Sequence, residues 1–253
     1  MPQTALSIAG SDPSGGAGIQ ADLKTFVDHK VFGMAVITAL TAQNSHGITG
    51  VHPVPPEFVA LQVQTLLSDM PVNAIKLGML ANAGIISAVA VALKEFQGPI
   101  VLDPVMVSTS GHALIAPNAV QTLVSDLLPL ATLLTPNLPE AKLLLDGAEP
   151  QAFVEQFGVA LLLKDGHGED QVVRDVLYQP GLPQEVFMHP RIKTQNTHGT
   201  GCTLSSALAA RLAKGQSLSA ACEGGIAYIA ELVATSATHS MGTGKNGALL
   251  HGL

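Results

Sequence analysis

Short apolar runs alternate along the chain with longer segments in which apolar and polar residues recur at helical spacing. Uninterrupted apolar runs of this length predict strands that are covered on both faces of a sheet. The predicted strands are residues 6–9, 35–40, 74–77, 100–102, 133–135 and 159–164. The predicted helices between them are residues 18–29, 57–69, 83–96, 118–128 and 140–145. This repeated alternation predicts an α/β fold with a doubly wound, mainly parallel sheet flanked by helices.

Two stretches break the alternation and predict small β flaps. Residues 48–54 form one of them, and residues 172–189 form the other, with Gly181 and Pro183 separating two runs that alternate apolar with polar residues. Two further helices are expected at residues 202–214 and 218–234. No Ser/Gly-rich or charged linker interrupts the chain, so residues 1–253 are expected to form a single domain.

Composition narrows the possible partners to small molecules. The chain has 253 residues, of which 47% are hydrophobic and 12% charged, and its formal net charge is -7. A negative charge without a Lys/Arg-rich run argues against nucleic acid, and so does the lack of Trp with only two Tyr. The N-terminal residues do not resemble a signal peptide and no long apolar span is evident, so we expect a cytoplasmic protein that does not enter a membrane.

The residues after each predicted strand are the candidate ligand contacts, because ligands of open parallel sheets lie beyond the carboxyl ends of the strands. The first such turn contains Gly16-x-Gly18-x-x-Ala21, a loose dinucleotide fingerprint. The acidic residue that should hold the ribose at the end of the second strand is replaced by Gln43-Asn44, which disfavours a nicotinamide or flavin site. The glycines either permit a tight turn or approach a ligand, and Asp12 and Asp22 are the better candidates for contact.

A second glycine-rich segment is the candidate for phosphate binding. The chain has no G-x-x-x-x-G-K-[ST] motif, but Gly199-Thr200-Gly201-Cys202 opens a predicted helix, where converging N–H groups favour an anion. The same helix end would stabilise a thiolate, so we expect a lowered pKa for Cys202 and a role as proton acceptor. The alternative is an ordinary helix start with a small buried cysteine.

Other polar residues at strand ends have two interpretations each. Glu140, with Asn137 as a cap, either completes a helix start or holds hydrated Mg²⁺. Asp103 is either a turn residue or a metal or catalytic carboxylate, and Lys164 either marks the sheet edge or pairs with phosphate. The histidines at positions 46, 167 and 198 are expected to be solvated or hydrogen-bonded in loops rather than metal ligands. Met79 and Met106 either fill the core or pack against a flat heterocycle.

Six motifs in this order resemble one known family. They are residues 8–25 (IAGSDPSGGAGIQADLKT), 42–44 (AQN), 76–80 (KLGML), 102–106 (LDPVM), 135–140 (TPNLPE) and 196–202 (NTHGTGC). Together they resemble the hydroxymethylpyrimidine/phosphomethylpyrimidine kinases of thiamine biosynthesis, which belong to the ribokinase-like superfamily. The resemblance spans nearly the whole chain. It implies phosphorylation of 4-amino-5-hydroxymethyl-2-methylpyrimidine and then of its monophosphate, with ATP as co-substrate and Mg²⁺.

The resemblance also implies roles for residues at the substrate end of the site. Gln43 and Asp22 would hydrogen-bond the pyrimidine, beside Gly10, Met79 and Val105.

At the phosphate end, the resemblance implies that Asn137, Glu140 and Asp103 organise Mg²⁺ and phosphates and that Lys164 neutralises phosphate charge. Gly199, Thr200 and Gly201 would form the anion hole, with Cys202 in the position of a catalytic base.

The chain departs from the family pattern in three places. Asp165 in Lys164-Asp165-Gly166-His167 adds a negative charge where phosphates are expected. Residues 145–159 look shorter than the family's segment, which would trim a helix, and the tail at 241–247 lacks the usual Gly-Pro. Two rival functions therefore stay open, a pyridoxal or pyridoxine kinase of the same fold and a non-catalytic pyrimidine-binding protein. The resemblance further suggests a possible homodimer.

Overall fold

A computed structural model describes residues 2–106, 117–166, 170–239 and 241–252, and within them nine strands form one sheet. Its order is β3-β2-β1-β4-β5-β6-β7-β8-β9. The bounds are β1 (Thr4–Ser11), β2 (Phe32–Asn44), β3 (Gly47–Pro53), β4 (Ala74–Leu77), β5 (Ile100–Leu102), β6 (Leu133–Leu134), β7 (Ala160–Leu163), β8 (Val172–Tyr178) and β9 (Glu185–Pro190). Strands β2, β1, β4, β5, β6 and β7 pair in parallel, while β3, β8 and β9 pair antiparallel at the two edges.

Helices follow most of the parallel strands. Their bounds are α1 (Gly18–Asp28), α2 (Pro56–Leu67), α3 (Ala83–Leu93), α4 (Pro117–Thr122), α5 (Leu138–Leu145), α6 (Pro150–Phe157), α7 (Thr200–Ala213) and α8 (Leu218–Ser236). Directly after α4 the chain continues as a π-helical segment, Leu123–Leu127, and then as a 3-10 helical segment, Leu128–Leu130.

Alternate residues of the central strands enter different cores on the two faces of the sheet. Ile75 and Leu77 of β4 pack on the side of α2 and α3, whereas Ala74 packs on the side of α1, α7 and α8. Side chains of a strand point to opposite faces with a period of two. A strand that is covered on both faces is therefore apolar at nearly every position. In β4 the exception is Lys76, whose buried ammonium pairs with Asp22.

The predicted architecture is confirmed, with corrections at particular elements. Both flaps are present, as β3 and as the hairpin β8–β9. The segment 145–159, which looks shorter than that of the family, still contains a helix, because α6 occupies Pro150–Phe157 and ends at Gly158 in a left-handed conformation. Strand β2 extends to Asn44, beyond the predicted end at residue 40, because β3 pairs with its last residues.

Among the described helices, only α8 has the length and mean hydropathy that a membrane span would require. It packs against α7 and β9, and it carries two glutamates, Glu223 and Glu231. The core helix of a folded domain meets the same criterion, so this finding is weak support for a membrane segment.

Candidate active site

A cavity of about 720 Å³ lies beyond the carboxyl ends of the parallel strands. It brings together nearly all the residues singled out from the sequence. Its wall includes Gly10, Gln43, Met79, Asp103, Val105, Asn137, Glu140, Lys164, Gly199, Thr200, Gly201 and Cys202. Because parallel strands end at the same edge, residues far apart in the chain meet there. Asp22 is the one predicted site residue outside this wall.

Asp22 lies beneath the cavity, fully buried in α1. Its Oδ1 and Oδ2 atoms are 2.9 and 2.8 Å from Nζ of Lys76, and they also accept hydrogen bonds from Ser206 Oγ at 2.7 Å and from Ser7 Oγ at 2.5 Å. The predicted hydrogen bond from Asp22 to a pyrimidine therefore does not fit this geometry. Burial alone would lower the pKa of Lys76, but the Asp22 carboxylate reverses that effect and raises it. The pair joins α1, β4 and α7 under the site.

The substrate end contains a hydrogen-bond network around Asp12, His198 and Gln43. Asp12 accepts hydrogen bonds from Ser14 N at 2.9 Å and Ala17 N at 2.9 Å, and its Oδ2 lies 2.8 Å from Nε2 of His198. Burial raises the pKa of Asp12, but hydrogen bonds from His198 and Ser14 outweigh burial and lower it. The same ring nitrogen of His198 lies 3.2 Å from Nε2 of Gln43.

His198 is held in place by a close backbone approach. A Cβ at Gly16 would come within 2.5 Å of Cδ2 of His198, and a side chain at Gly199 would collide with the backbone of Gly16. Gly199 has φ of +86°, a conformation that favours glycine. The His198 N–H donates to Gly247 O at 3.0 Å. His198 is therefore buried and hydrogen-bonded rather than solvated. Gly199 and Gly201, which follow it in the sequence, are the feature that could have indicated this close packing.

The phosphate end is a cluster of buried charges. Asp103 lies 3.2 Å from Nζ of Lys164 and accepts hydrogen bonds from Thr135 Oγ1 and Ser205 Oγ, each at 3.2 Å. Burial alone would lower the pKa of Lys164, but the carboxylates of Asp103 and Glu140 raise it. A Cβ at Gly201 would lie 3.6 Å from Oδ2 of Asp103 and 3.7 Å from Lys164 Nζ, so the start of α7 faces this ion pair.

Asn137 and Glu140 form a reciprocal cap at the start of α5. The Asn137 side chain accepts from Glu140 N at 2.9 Å, and Glu140 Oε2 accepts from Asn137 N at 2.9 Å. The capping interpretation is therefore confirmed, and both residues also line the cavity. Burial raises the pKa of Glu140 to about 7, with Lys164 opposing and Asp103 reinforcing this rise.

Cys202 lies in the first turn of α7, which begins at Thr200, two residues before the predicted start. The expected lowering of the Cys202 pKa is wrong. Burial raises the pKa to about 11, and although Lys76 and a backbone hydrogen bond from Gly18 oppose it, Asp22 and Asp103 add to the rise. The thiol is therefore protonated at neutral pH, which also limits Cys202 as a ready-made base.

Asp165, the acidic residue that departs from the family pattern, lies close to Arg191. Arg191 lies with NH2 3.9 Å from Asp165 Oδ2, and its guanidinium donates to Gly166 O at 2.9 Å and to Asp165 O at 3.0 Å. The Asp165 N–H donates to Asp175 Oδ1 at 2.9 Å. Arg191, which lines the cavity, thus offsets the negative charge, and nothing in the sequence pattern singled it out. His167 of the same motif lies outside the described residues.

The tail ties the first flap to the body of the protein. Gly244 N donates to Ser45 Oγ at 3.1 Å, Asn246 N donates to Ser45 O at 3.2 Å, and Gly247 O accepts from His198. Residues 241–247 therefore connect the β2–β3 turn to the segment that precedes α7, a role that the missing Gly-Pro did not suggest.

Comparisons with known proteins agree with this geometry. The chain matches the family model described as phosphomethylpyrimidine kinase over residues 12–248. It is 44% identical to a hydroxymethylpyrimidine/phosphomethylpyrimidine kinase of Rhizobium meliloti, over 97% of this chain and 96% of the relative. Its fold is similar to an ADP complex of Bacillus subtilis pyridoxal kinase, with a TM-score of 0.86 and 35% identity over 99% and 98% of the two chains. It is also similar to phosphomethylpyrimidine kinase of Clostridium difficile, with a TM-score of 0.79 and 36% identity over 91% and 99%.

Proposed function

The chain belongs to the phosphomethylpyrimidine kinase family and has its ribokinase-like fold, and from this we propose its reaction. The protein is an ATP-dependent kinase of thiamine biosynthesis. It phosphorylates the hydroxymethyl group of 4-amino-5-hydroxymethyl-2-methylpyrimidine and then the phosphate of the resulting monophosphate. The relative of 44% identity is named for both activities.

One observation carries the proposal. A single cavity has a carboxamide and apolar wall at one end and buried charges with a helix N-terminus at the other. The flat heterocycle fits the first end, where Gln43 offers hydrogen bonds and Met79 and Val105 offer apolar contact. Gly10 lies at the same wall. A hydroxymethyl group on that ring would project toward Cys202 and α7.

At the other end, the residues suit phosphoryl transfer, in which an alcohol oxygen bonds to the γ-phosphorus as the bond to ADP breaks. The N–H groups of Gly201 and Cys202 are proposed to hold the transferring group, since the Thr200 N–H donates to Thr197 O at 3.3 Å. The Lys164 ammonium is proposed to offset the charge of that group. Asn137 is proposed to contact the nucleotide. A loose transition state needs little help from a base, so Cys202 is proposed first to orient the alcohol.

Mg²⁺ is proposed to accompany ATP. Asp103 and Glu140 offer carboxylate oxygens beside the cavity, and such ligands often hold hydrated Mg²⁺ through water. Among the described residues, no group of three or more His, Cys, Asp or Glu side chains is placed to hold a metal, which suits an ion held partly by phosphates and water. The ion would neutralise developing phosphate charge.

We expect Glu140→Gln to raise the Mg²⁺ concentration that half-saturates ATP consumption, and an identical Mg²⁺ dependence would return Glu140 to capping alone.

The rival reaction is phosphorylation of pyridoxal, since pyridoxal kinases share the fold. An ATP-consumption assay with purified protein should compare the hydroxymethylpyrimidine, its monophosphate, pyridoxal and pyridoxine. We expect the highest kcat/KM for the pyrimidines. A clear preference for pyridoxal would overturn the substrate assignment, and pyrimidine binding without ATP consumption would identify a binding protein.

A cytoplasmic location is proposed because ATP is the co-substrate and because Cys202 and Cys222 are free thiols. The homodimer suggested by the resemblance stays a prediction, which the molar mass from light scattering would test.

A further inference from the structure

Gln43 stands between two polar neighbours that restrict how its carboxamide can point. On one side its Nε2 atom lies 3.2 Å from Nε2 of His198, and on the other its Oε1 atom lies 3.2 Å from Oγ1 of Thr41. The oxygen and the NH₂ group of a carboxamide have nearly the same shape, so the hydrogen-bond network decides which is which.

The His198 side is decided by Asp12. The Asp12 carboxylate can only accept hydrogen bonds, and its Oδ2 is 2.8 Å from Nε2 of His198. That nitrogen must therefore carry a hydrogen, whether the ring is neutral or charged. An NH₂ group facing an N–H group would be repulsive, so the atom of Gln43 that faces His198 should be the oxygen.

The Thr41 side leads independently to the same orientation. The Thr41 hydroxyl has one hydrogen, and its shorter contact is with Ser11 O at 2.9 Å, which can only accept. With that hydrogen used, Oγ1 offers a lone pair to its other neighbour. The atom of Gln43 that faces Thr41 should then be the NH₂ group, which donates to Oγ1.

We infer that Asp12 with His198, and Ser11 with Thr41, are positioning groups that set the orientation of the Gln43 carboxamide and thereby the heterocycle that the enzyme accepts. This rests on the proposed function. The orientation leaves an oxygen lone pair on the His198 side and an N–H on the Thr41 side for a ligand in the cavity that Gln43 lines. An aminopyrimidine edge complements it, because an exocyclic amino group donates next to a ring nitrogen that accepts. A Gln side chain reads such an edge in adenine by the same pairing.

The test uses two ligands with opposite edges and no ATP. The first is 4-amino-5-hydroxymethyl-2-methylpyrimidine, and the second is its 4-oxo counterpart, in which the exocyclic oxygen accepts and the ring N–H donates. Calorimetric titration of the purified chain should give Kd for each. A correctly oriented bidentate pair discriminates by roughly 10- to 100-fold, so we expect the amino ligand to bind that much more tightly.

Variants then remove each positioning group. Thr41→Val removes the lone pair that holds the NH₂ group, and Thr41→Ser is the matched variant that keeps a hydroxyl. Asp12→Asn removes the obligatory acceptor, so the His198 ring can take its other tautomer. We expect Thr41→Val and Asp12→Asn each to lower the amino/oxo ratio by about tenfold, and Thr41→Ser to lower it much less.

The ratio separates positioning from structural damage, because a loosened site would weaken both ligands alike. Asp12 also accepts bonds from the turn at Ser14 and Ala17, so the Asp12→Asn variant needs a thermal unfolding curve, and Thr41→Val tests the idea independently. A wild-type ratio near one, or an unchanged ratio in both Thr41→Val and Asp12→Asn, would overturn the inference. Wild-type protein that phosphorylates neither 4-amino-5-hydroxymethyl-2-methylpyrimidine nor its monophosphate would instead overturn the proposed function.

Discussion

Two buried lysine–aspartate pairs lie close to the start of α7, and they differ in what they leave open. Lys76 and Asp22 are both fully buried, and Ser7 and Ser206 complete the hydrogen bonding of the carboxylate. Lys164 and Asp103 have side chains that are 13% and 3% exposed, and both line the cavity. The second pair also has Glu140 as an additional carboxylate nearby, whose pKa rises to about 7.

The difference shows how the same two residue types serve different purposes. The Lys76–Asp22 pair balances its charges internally, so it joins secondary-structure elements without needing a ligand. The Lys164–Asp103–Glu140 cluster has two carboxylates and one ammonium at a cavity wall, so its charge balance depends on what enters. We therefore expect the first pair to control stability and the second to control catalysis.

The largest expected effect is on turnover when Lys164 is changed to Met. Losing the ammonium that is proposed to offset the charge of the transferring phosphoryl group should lower kcat/KM about a thousandfold, which is ~4 kcal/mol of transition-state stabilisation. Steady-state ATP consumption measures this, with Lys94→Met, at an exposed position, as the matched control. Activity within tenfold of wild type would mean that the Lys164–Asp103 pair, like the Lys76–Asp22 pair, serves stability rather than catalysis.

The next effect is on stability when Asp22 is changed to Asn. This leaves the Lys76 ammonium buried without its counter-charge, and we expect a loss of about 3 kcal/mol in the free energy of unfolding. Urea denaturation measures it, with the exposed Asp69→Asn as control. Adding Lys76→Met should restore part of the loss. A marginal effect of Asp22→Asn on stability together with a large rise in KM for the pyrimidine would restore Asp22 to substrate binding.

A somewhat smaller effect is expected for Cys202→Ala. Cys202 lies near both pairs, since the charges of Lys76, Asp22 and Asp103 all affect the pKa of its thiol. Because Cys202 is proposed to orient the alcohol, kcat should fall by about a hundredfold while the Kd of the heterocycle changes little. Single-turnover rates and calorimetry measure the two quantities. Undiminished kcat would show that Cys202 has no part in turnover.

The smallest effect concerns the pH dependence of the same thiol. With a pKa of about 11, Cys202 should react slowly with iodoacetamide at pH 7 and about tenfold faster per pH unit up to pH 10. An unfolded cysteine has a pKa of about 8.5, so the unfolded chain loses its proton first and stability falls as pH rises from about 8.5 toward 11. Cys222→Ala leaves Cys202 as the sole thiol. A labelling rate that levels off near pH 8 would contradict the raised pKa.

The chain itself determined the parallel sheet and the position of most of the site. Residues 100–102 are apolar at every position, and residues 74–77 at every position except Lys76, because both faces of these strands are covered, so their bounds could be predicted to the residue. Strand ends then located Gln43, Met79, Asp103 and Lys164, because ligand sites of such sheets lie at one edge. Local patterns of this kind depend only on neighbours in sequence.

Tertiary structure decided which polar residues face the ligand and which face each other. Asp12 and Asp22 lie before and after the same glycine-rich turn, yet Asp22 is paired with Lys76 beneath the cavity and Asp12 with His198 at its wall. The pKa of Cys202 likewise depends on the tertiary structure. Its position at a helix start predicts a lowered pKa, but burial of the thiol raises it. Partners such as Lys76, His198 and Arg191 come from distant parts of the chain. Burial and charge pairing depend on all of them at once, so no local pattern could contain that information.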